Sequence, residues 1–161
     1  MGYGYELICK KCGYTKVILL GIGFSYPMVC ADTLEAMKKG EYGEGFMEDA
    51  NKTEHAAVHQ ERVLLVCDKC GNWRLDETID LCAPIGEYKA REERFCVAVD
   101  YPNDVPYVMS HDIGRSYKII RSKKHLCGKC RHDLHPMKKK DRLACPECGE
   151  RLTIGAGIDW D

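Results

Sequence analysis

Short runs of alternating apolar and polar residues are interrupted at intervals by nearly identical four-residue turns. Tyr5 to Ile8 and Thr15 to Leu20 flank Cys9-Lys-Lys-Cys12-Gly13, and Arg62 to Val66 and Trp73 to Leu75 flank Cys67-Asp-Lys-Cys70-Gly71. Runs of this kind meeting at a glycine-bearing turn predict β-hairpins, here two of them, each tipped by a Cys-x-x-Cys turn. Between them Pro27 ends the first apolar stretch. Asp32 to Lys39 predicts a short helix, with Leu34 and Met37 on one side and Lys38-Lys39 near its end. Glu54 to Glu61 predicts a second helix whose apolar residues, Ala56, Ala57 and Val58, are small. Beyond the second hairpin Phe95 to Val99 alternates as a strand. Tyr101-Pro102-Asn103-Asp104, with Pro106, reads as a turn or linker. The expected architecture is a β-rich α+β protein in two units: residues 1–100 with a helical insertion at about 21–61, and residues 107–161.

With 161 residues, two units of this size each bury little core, so cross-links would carry much of the stability. The longest apolar stretch, Val17 to Phe24, is broken by Gly21 and Gly23 and falls well short of the roughly 20 residues of a membrane-spanning helix. The first residues, Met1 to Glu6, have neither the basic region nor the apolar core of a secretion signal. A cytoplasmic location is the expectation, and in a reducing compartment paired thiols bind metal more often than they form disulfides.

Eight of the eleven cysteines form four pairs: Cys9/Cys12, Cys67/Cys70, Cys127/Cys130 and Cys145/Cys148. Two thiolates at this spacing reach one tetrahedral ion when the backbone curls in a tight knuckle, and a glycine just beyond accommodates positive φ. A single such pair would also suit a redox dithiol, but four in one chain point to metal. The short segment between Cys130 and Cys145 suggests that Cys127, Cys130, Cys145 and Cys148 share one ion. Cys9, Cys12, Cys67 and Cys70 would then close a second site across a long insertion, which loop-closure entropy penalises only logarithmically. In these knuckles and their flanking strands the chain resembles the zinc-ribbon superfamily, and small bacterial proteins that carry several such ribbons. The resemblance implies two structural zinc ions per chain. It departs at Arg131, which occupies the glycine position of the third knuckle.

Charge is segregated. Residues 1–114 carry 12 basic and 19 acidic side chains, residues 115–142 carry 11 and 2, and residues 143–161 carry 1 and 4. Each four-thiolate zinc site would add a charge of about −2, and Lys10, Lys11, Lys69 and Lys129 beside the knuckles are placed to offset it. The basic stretch offers candidate phosphate-binding residues: Lys118, Arg121, Lys123, Lys124, Arg131, Lys138, Lys139 and Lys140, with Tyr117 and His125 interleaved. A solvated hairpin loop is the favoured account of Lys138 to Lys140, which would sit at the tip joining two strands.

Other motifs fall short of a site. His55 and His59 stand four apart beside Glu54 and Glu61, but Ala56 occupies the place where the metalloprotease motif requires Glu. His59-Gln60-Glu61 before Cys67 lacks the proline and the spacing of the zinc deaminases, and Gly71 marks a knuckle instead. Cys30, Cys82 and Cys96 suit buried apolar positions better than a nucleophile paired with His111. Gly21-Ile22-Gly23 bends a strand rather than cradling a phosphate, since Tyr26 stands where a third glycine would be needed. Closed four-thiolate sites leave no coordination position for a substrate. The expected function is therefore non-catalytic: a zinc-stabilised binding or adaptor protein for a protein or nucleic-acid partner, without membrane association. The alternative is electron transfer, because Cys9-Lys-Lys-Cys12-Gly13-Tyr14 and Cys145-Pro-Glu-Cys148-Gly149 resemble the two halves of a rubredoxin iron site, although they lie at opposite ends of the chain. An enzyme of another type ranks third.

Overall fold

A computed structural model describes residues 2–23, 26–88 and 105–160. The protein is β-rich α+β, with seven strands and two α-helices among the described residues. The strands are β1 (Gly2–Ile8), β2 (Thr15–Gly21), β3 (Ala57–Val66), β4 (Trp73–Pro84), β5 (Tyr117–Ser122), β6 (His135–Pro136) and β7 (Thr153–Trp160). The helices, α1 (Tyr26–Lys38) and α2 (Glu44–Lys52), fall between β2 and β3. The strands hydrogen-bond in the order β5-β4-β3-β2-β1-β7, with β6 added to β3. Among the described residues, no helix is long and apolar enough to cross a membrane.

The chain divides into two compact units that interleave in sequence. One comprises Met1–Gly23, Glu61–Glu77 and Lys124–Asp161, and the other Phe24–Gln60 and Thr78–Lys123. All four knuckles belong to the first. This division differs from a cut near residue 100 because β3 and β4 each contribute residues to both units.

In the first unit β1 pairs with β2 as the expected hairpin and with β7 on its other side, Ile8 facing both Thr15 and Thr153. The end of β3 pairs with β6, Val66 opposite His135. Side chains alternate across a strand, and β3 uses both faces. Leu64 and Val66 join Leu7, Ile18, Leu143 and Leu152 in one core that includes Cys9 and Cys145. Leu65 and Cys67 join Cys127 and Leu134 in another. The uninterrupted apolar run Val63-Leu64-Leu65-Val66 is the sequence trace of this two-sided burial.

In the second unit α1 buries Tyr26, Pro27, Cys30, Thr33, Leu34 and Met37, the spacing of one helical face. Pro27 lies in its first turn, where proline is tolerated, so the helix begins six residues before the expected start at Asp32. Helix α2 shows only Phe46 and Ala50 as buried positions. The helix expected over Glu54 to Glu61 is absent. His55 has φ 52° and β3 starts at Ala57. Four consecutive residues, Ala57 to Gln60, are buried, which an extended strand covered on both faces accommodates and a one-sided surface helix does not. Tyr26 links the elements: its hydroxyl donates to the Val108 carbonyl at 2.7 Å and accepts from the Gln60 backbone N–H at 3.1 Å. Thr33 donates to Gln60 Oε1 at 2.8 Å. His59 is buried beside this network, its Nδ1 3.0 Å from Val108 O, and is not the surface histidine of a helical pair. The strand expected over Phe95 to Val99 and the turn at Tyr101 to Asp104 lie outside the described residues.

Candidate metal centres

All four Cys-x-x-Cys segments form the same turn. The backbone N–H four residues on from the first cysteine donates to that cysteine's carbonyl at 2.9 Å, from Gly13, Gly71, Arg131 and Gly149 in turn. The first cysteine's own N–H donates to the carbonyl five residues on, that of Tyr14, Asn72, His132 or Glu150, at 2.7–2.9 Å. Closing this loop requires positive φ at the donor, and the values are 78°, 66°, 61° and 74°. Arg131 therefore adopts the glycine conformation without being glycine. Cys9, Cys67, Cys127 and Cys145 are buried, whereas Cys12 and Cys148 are exposed and Cys70 and Cys130 half-buried.

The knuckles meet in two groups of four, Cys9, Cys12, Cys145 and Cys148 in one, and Cys67, Cys70, Cys127 and Cys130 in the other. The pairing expected from chain proximity is overturned, and strand registry gives the reason. β7 begins at Thr153, just after the fourth knuckle, and runs antiparallel to β1, which ends at the first; Thr153 Oγ1 donates to Ile8 O at 3.1 Å. The β3–β6 pairing, assisted by Asn72 Nδ2 3.7 Å from Cys127 Sγ, brings the second and third knuckles together.

The sulfur geometry fits a tetrahedral ion. Cys9 and Cys148 Sγ lie 3.5 Å apart, Cys12 and Cys145 3.6 Å, Cys67 and Cys130 3.4 Å, and Cys70 and Cys127 3.6 Å. Bonds of about 2.3 Å at tetrahedral angles place sulfurs about 3.8 Å apart, whereas a disulfide requires about 2.05 Å. Each group also contains one thiol set to ionise. The Cys12 backbone N–H, assisted by that of Lys11 and opposed by burial, lowers the Cys9 thiol to about 7. The Cys130 backbone N–H, with that of Lys129, lowers Cys127 to about 6. Their knuckle partners go the other way. A hydrogen bond from the Tyr14 backbone pulls Cys12 down, but burial and the surrounding sulfurs push it up to about 12. Cys130 behaves likewise under the His132 backbone, burial and Cys67, reaching about 12. A cation binding here displaces protons from the high-lying thiols while the low-lying ones give it a first foothold.

A third group, Asp68, His135 and Asp141, also has metal-ligand spacing. Its imidazole is already engaged, with Nε2 3.0 Å from Asp68 and Nδ1 2.9 Å from Pro136 O, as an ion-pair staple would be. This group had no signal in the sequence, its members being 67 and 6 residues apart.

The remaining expected residues scatter. Lys118, Arg121 and Lys123 fall in one unit, and Lys124, Arg131 and Lys138 to Lys140 in the other. Arg121 is committed, its Nε donating to Asp49 at 2.7 Å with its guanidinium over Phe46. Lys138 to Lys140 are exposed in a turn closed by Asp141. His125 Nδ1 lies 3.2 Å from Asp76, and its buried Nε2 has no hydrogen-bond partner among the described residues. Cys30 and Cys82 are fully buried, and burial pushes the Cys82 thiol up to about 12, as core cysteines rather than nucleophiles. His111 is exposed, and Cys96 lies outside the described residues. No protein-family model, curated protein or solved structure matches this chain.

Proposed function

We propose that this chain is a zinc-stabilised, non-catalytic binding protein, in which two four-thiolate sites act as structural cross-links. The observation that supports the reading most directly is the closed donor set. Four cysteines converge at each site from two knuckles of the same geometry, and a metal held by four thiolates has no open position at which to activate water or substrate. Each site joins segments remote in sequence, Cys9 with Cys145 and Cys67 with Cys127, so an ion restrains long loops of the unfolded chain. On this reading the two knuckle pairs are zinc ribbons, and the surface of this unit serves a partner.

One observation favours a second reading. Cys9-Lys-Lys-Cys12-Gly13-Tyr14 and Cys145-Pro-Glu-Cys148-Gly149, the two segments that resemble rubredoxin halves, share a single site. Distance along the chain no longer counts against iron there, and thiolates alone do not select between iron and zinc. Elemental analysis and an absorption spectrum of untagged protein expressed with both metals available separate the two. Two zinc ions per chain and no visible colour support the structural reading; a stoichiometric iron with strong visible absorption replaces it with electron transfer.

A further inference from the structure

A cleft of about 880 Å³ opens in the metal-binding unit, with Cys70 of one four-cysteine group and Cys145 and Cys148 of the other in its walls. Its chemistry differs from that of the chain as a whole. Lys16, Arg74 and Lys129 line it together with Tyr14, Asn72 and Trp73, and no carboxylate lines it, although acidic residues outnumber basic ones over the full sequence by 25 to 24. Arg74 is held by Asp76 at 2.9 Å. Lys16 and Lys129 are exposed, with no ion-pair partner among the described residues.

Trp73 is fixed as a platform. Its indole N–H donates to the Ala144 carbonyl at 2.8 Å, and the ring packs against the core containing Leu7 and Ile18. Over the ring lies the Lys16 ammonium, 5.5 Å from its centroid. An exposed lysine in that position marks the face turned toward the cleft, and a cation–π contact at such a site is weak. A planar base competes for that face through stacking, which frees the lysine for an adjacent phosphate.

We propose that this cleft binds single-stranded nucleic acid, a base stacking on Trp73 while Lys16 and Lys129 contact phosphates on either side. An aromatic platform flanked by unpaired cations in an open groove is the general solution for single strands. The thiolate-rich walls set the sign of a secondary effect: their negative charge keeps affinity modest and makes the two free lysines decisive. This deepens the binding-protein reading by naming partner and site, and it rests on that reading only for its non-catalytic outcome.

Fluorescence anisotropy of a labelled oligothymidylate titrated with the full, metal-loaded chain tests it. The expected result is binding at low salt, with log affinity falling against log salt at a slope of about −1.4 for two phosphate contacts. Lys16→Ala with Lys129→Ala lowers affinity about ten-fold or more. Lys138→Ala with Lys139→Ala and Lys140→Ala changes it less than about two-fold. Binding quenches tryptophan emission in the native chain and not in Trp73→Phe, which retains Trp160, a residue outside the cleft lining whose indole N–H donates to the Tyr3 and Leu20 carbonyls. Each variant is first shown to hold the native metal complement, so a folding failure is not read as a binding failure. Absence of binding at low salt overturns the proposal, as does a loss in the triple variant equal to that in the cleft pair, or a quench that survives in Trp73→Phe. A chain that carries two zinc ions and fails these tests refutes the cleft and leaves the structural-metal reading standing; an iron-loaded chain that passes them does the reverse.

Discussion

The fourfold repetition of one turn, with arginine replacing glycine once, allows its backbone strain to be measured within a single molecule. A non-glycine residue in the left-handed region is disfavoured by about 1–2 kcal/mol, and glycine's extra freedom in the unfolded chain offsets about 0.5–1 kcal/mol of that difference. Alanine at Gly13 or Gly149 meets nothing within 4 Å, and at Gly71 only ordinary contacts at 3.7 Å and beyond. Side-chain clashes therefore do not contribute. Gly13→Ala, Gly71→Ala and Gly149→Ala should each destabilise by about 1 kcal/mol, and Arg131→Gly should stabilise by about 0.5–1 kcal/mol. In a chelator competition, where metal binding and folding of the knuckle are coupled, 1.4 kcal/mol corresponds to about ten-fold in apparent affinity. Gly13→Ala and Gly149→Ala should weaken retention of one metal equivalent, and Gly71→Ala the other; Arg131→Gly should strengthen retention at the site Gly71 serves. Urea unfolding of the loaded protein provides a parallel reading. Neutral glycine substitutions, or an Arg131→Gly variant that loses stability, would refute the strain argument.

The cysteine pairing gives a sharper qualitative test: Cys9→Ser with Cys145→Ser removes one metal equivalent, whereas Cys127→Ser with Cys145→Ser removes both, as elemental analysis of the purified variants will show. Metal retention should weaken in acid. The bound state holds its thiols ionised, so its stability is lost as pH falls below each metal-free pKa; Cys12 and Cys130, near 12, make retention decline already above neutrality, and Cys9 near 7 and Cys127 near 6 steepen the decline below about pH 7 and 6, measurable by metal release against pH. In the other unit, Tyr26→Phe deprives Val108 O and the Gln60 N–H of their shared hydroxyl partner and should cost about 1–3 kcal/mol in urea unfolding.

What the sequence made legible was local. Spacing marked every knuckle and a trailing glycine three of the four, Arg131 standing in the third, because two thiolates and one left-handed residue define the turn within five positions. The strands beside the first two knuckles followed from their alternation, and α1 from the spacing of Leu34 and Met37, although Pro27 marked its beginning rather than the end of what came before. The pairing of knuckles was not local. Ribbon-like proximity argued for joining Cys127 to Cys145, but the register of β7 on β1 and of β6 on β3 decides the matter, and hydrogen-bond register between strands so far apart in the chain leaves no mark in composition. The one available trace was chemical: the first and last knuckles resemble two halves of a single iron site. The Glu54 to Glu61 segment misled for a different reason. Its small apolar residues suit a helix, yet burial of Ala57 through Gln60 on both faces, with Tyr26 and Thr33 satisfying the polar groups, selects a strand. Propensity yields to tertiary context.

X-ray absorption at the metal edge addresses the central claim, that both sites are closed and built wholly of thiolates. The account predicts, for the native chain with two bound ions, a single shell of four sulfurs at about 2.3 Å around each. A shell at about 2.0–2.1 Å from nitrogen or oxygen, or fewer than four sulfurs per ion, would reveal an open or mixed site and contradict a purely structural role.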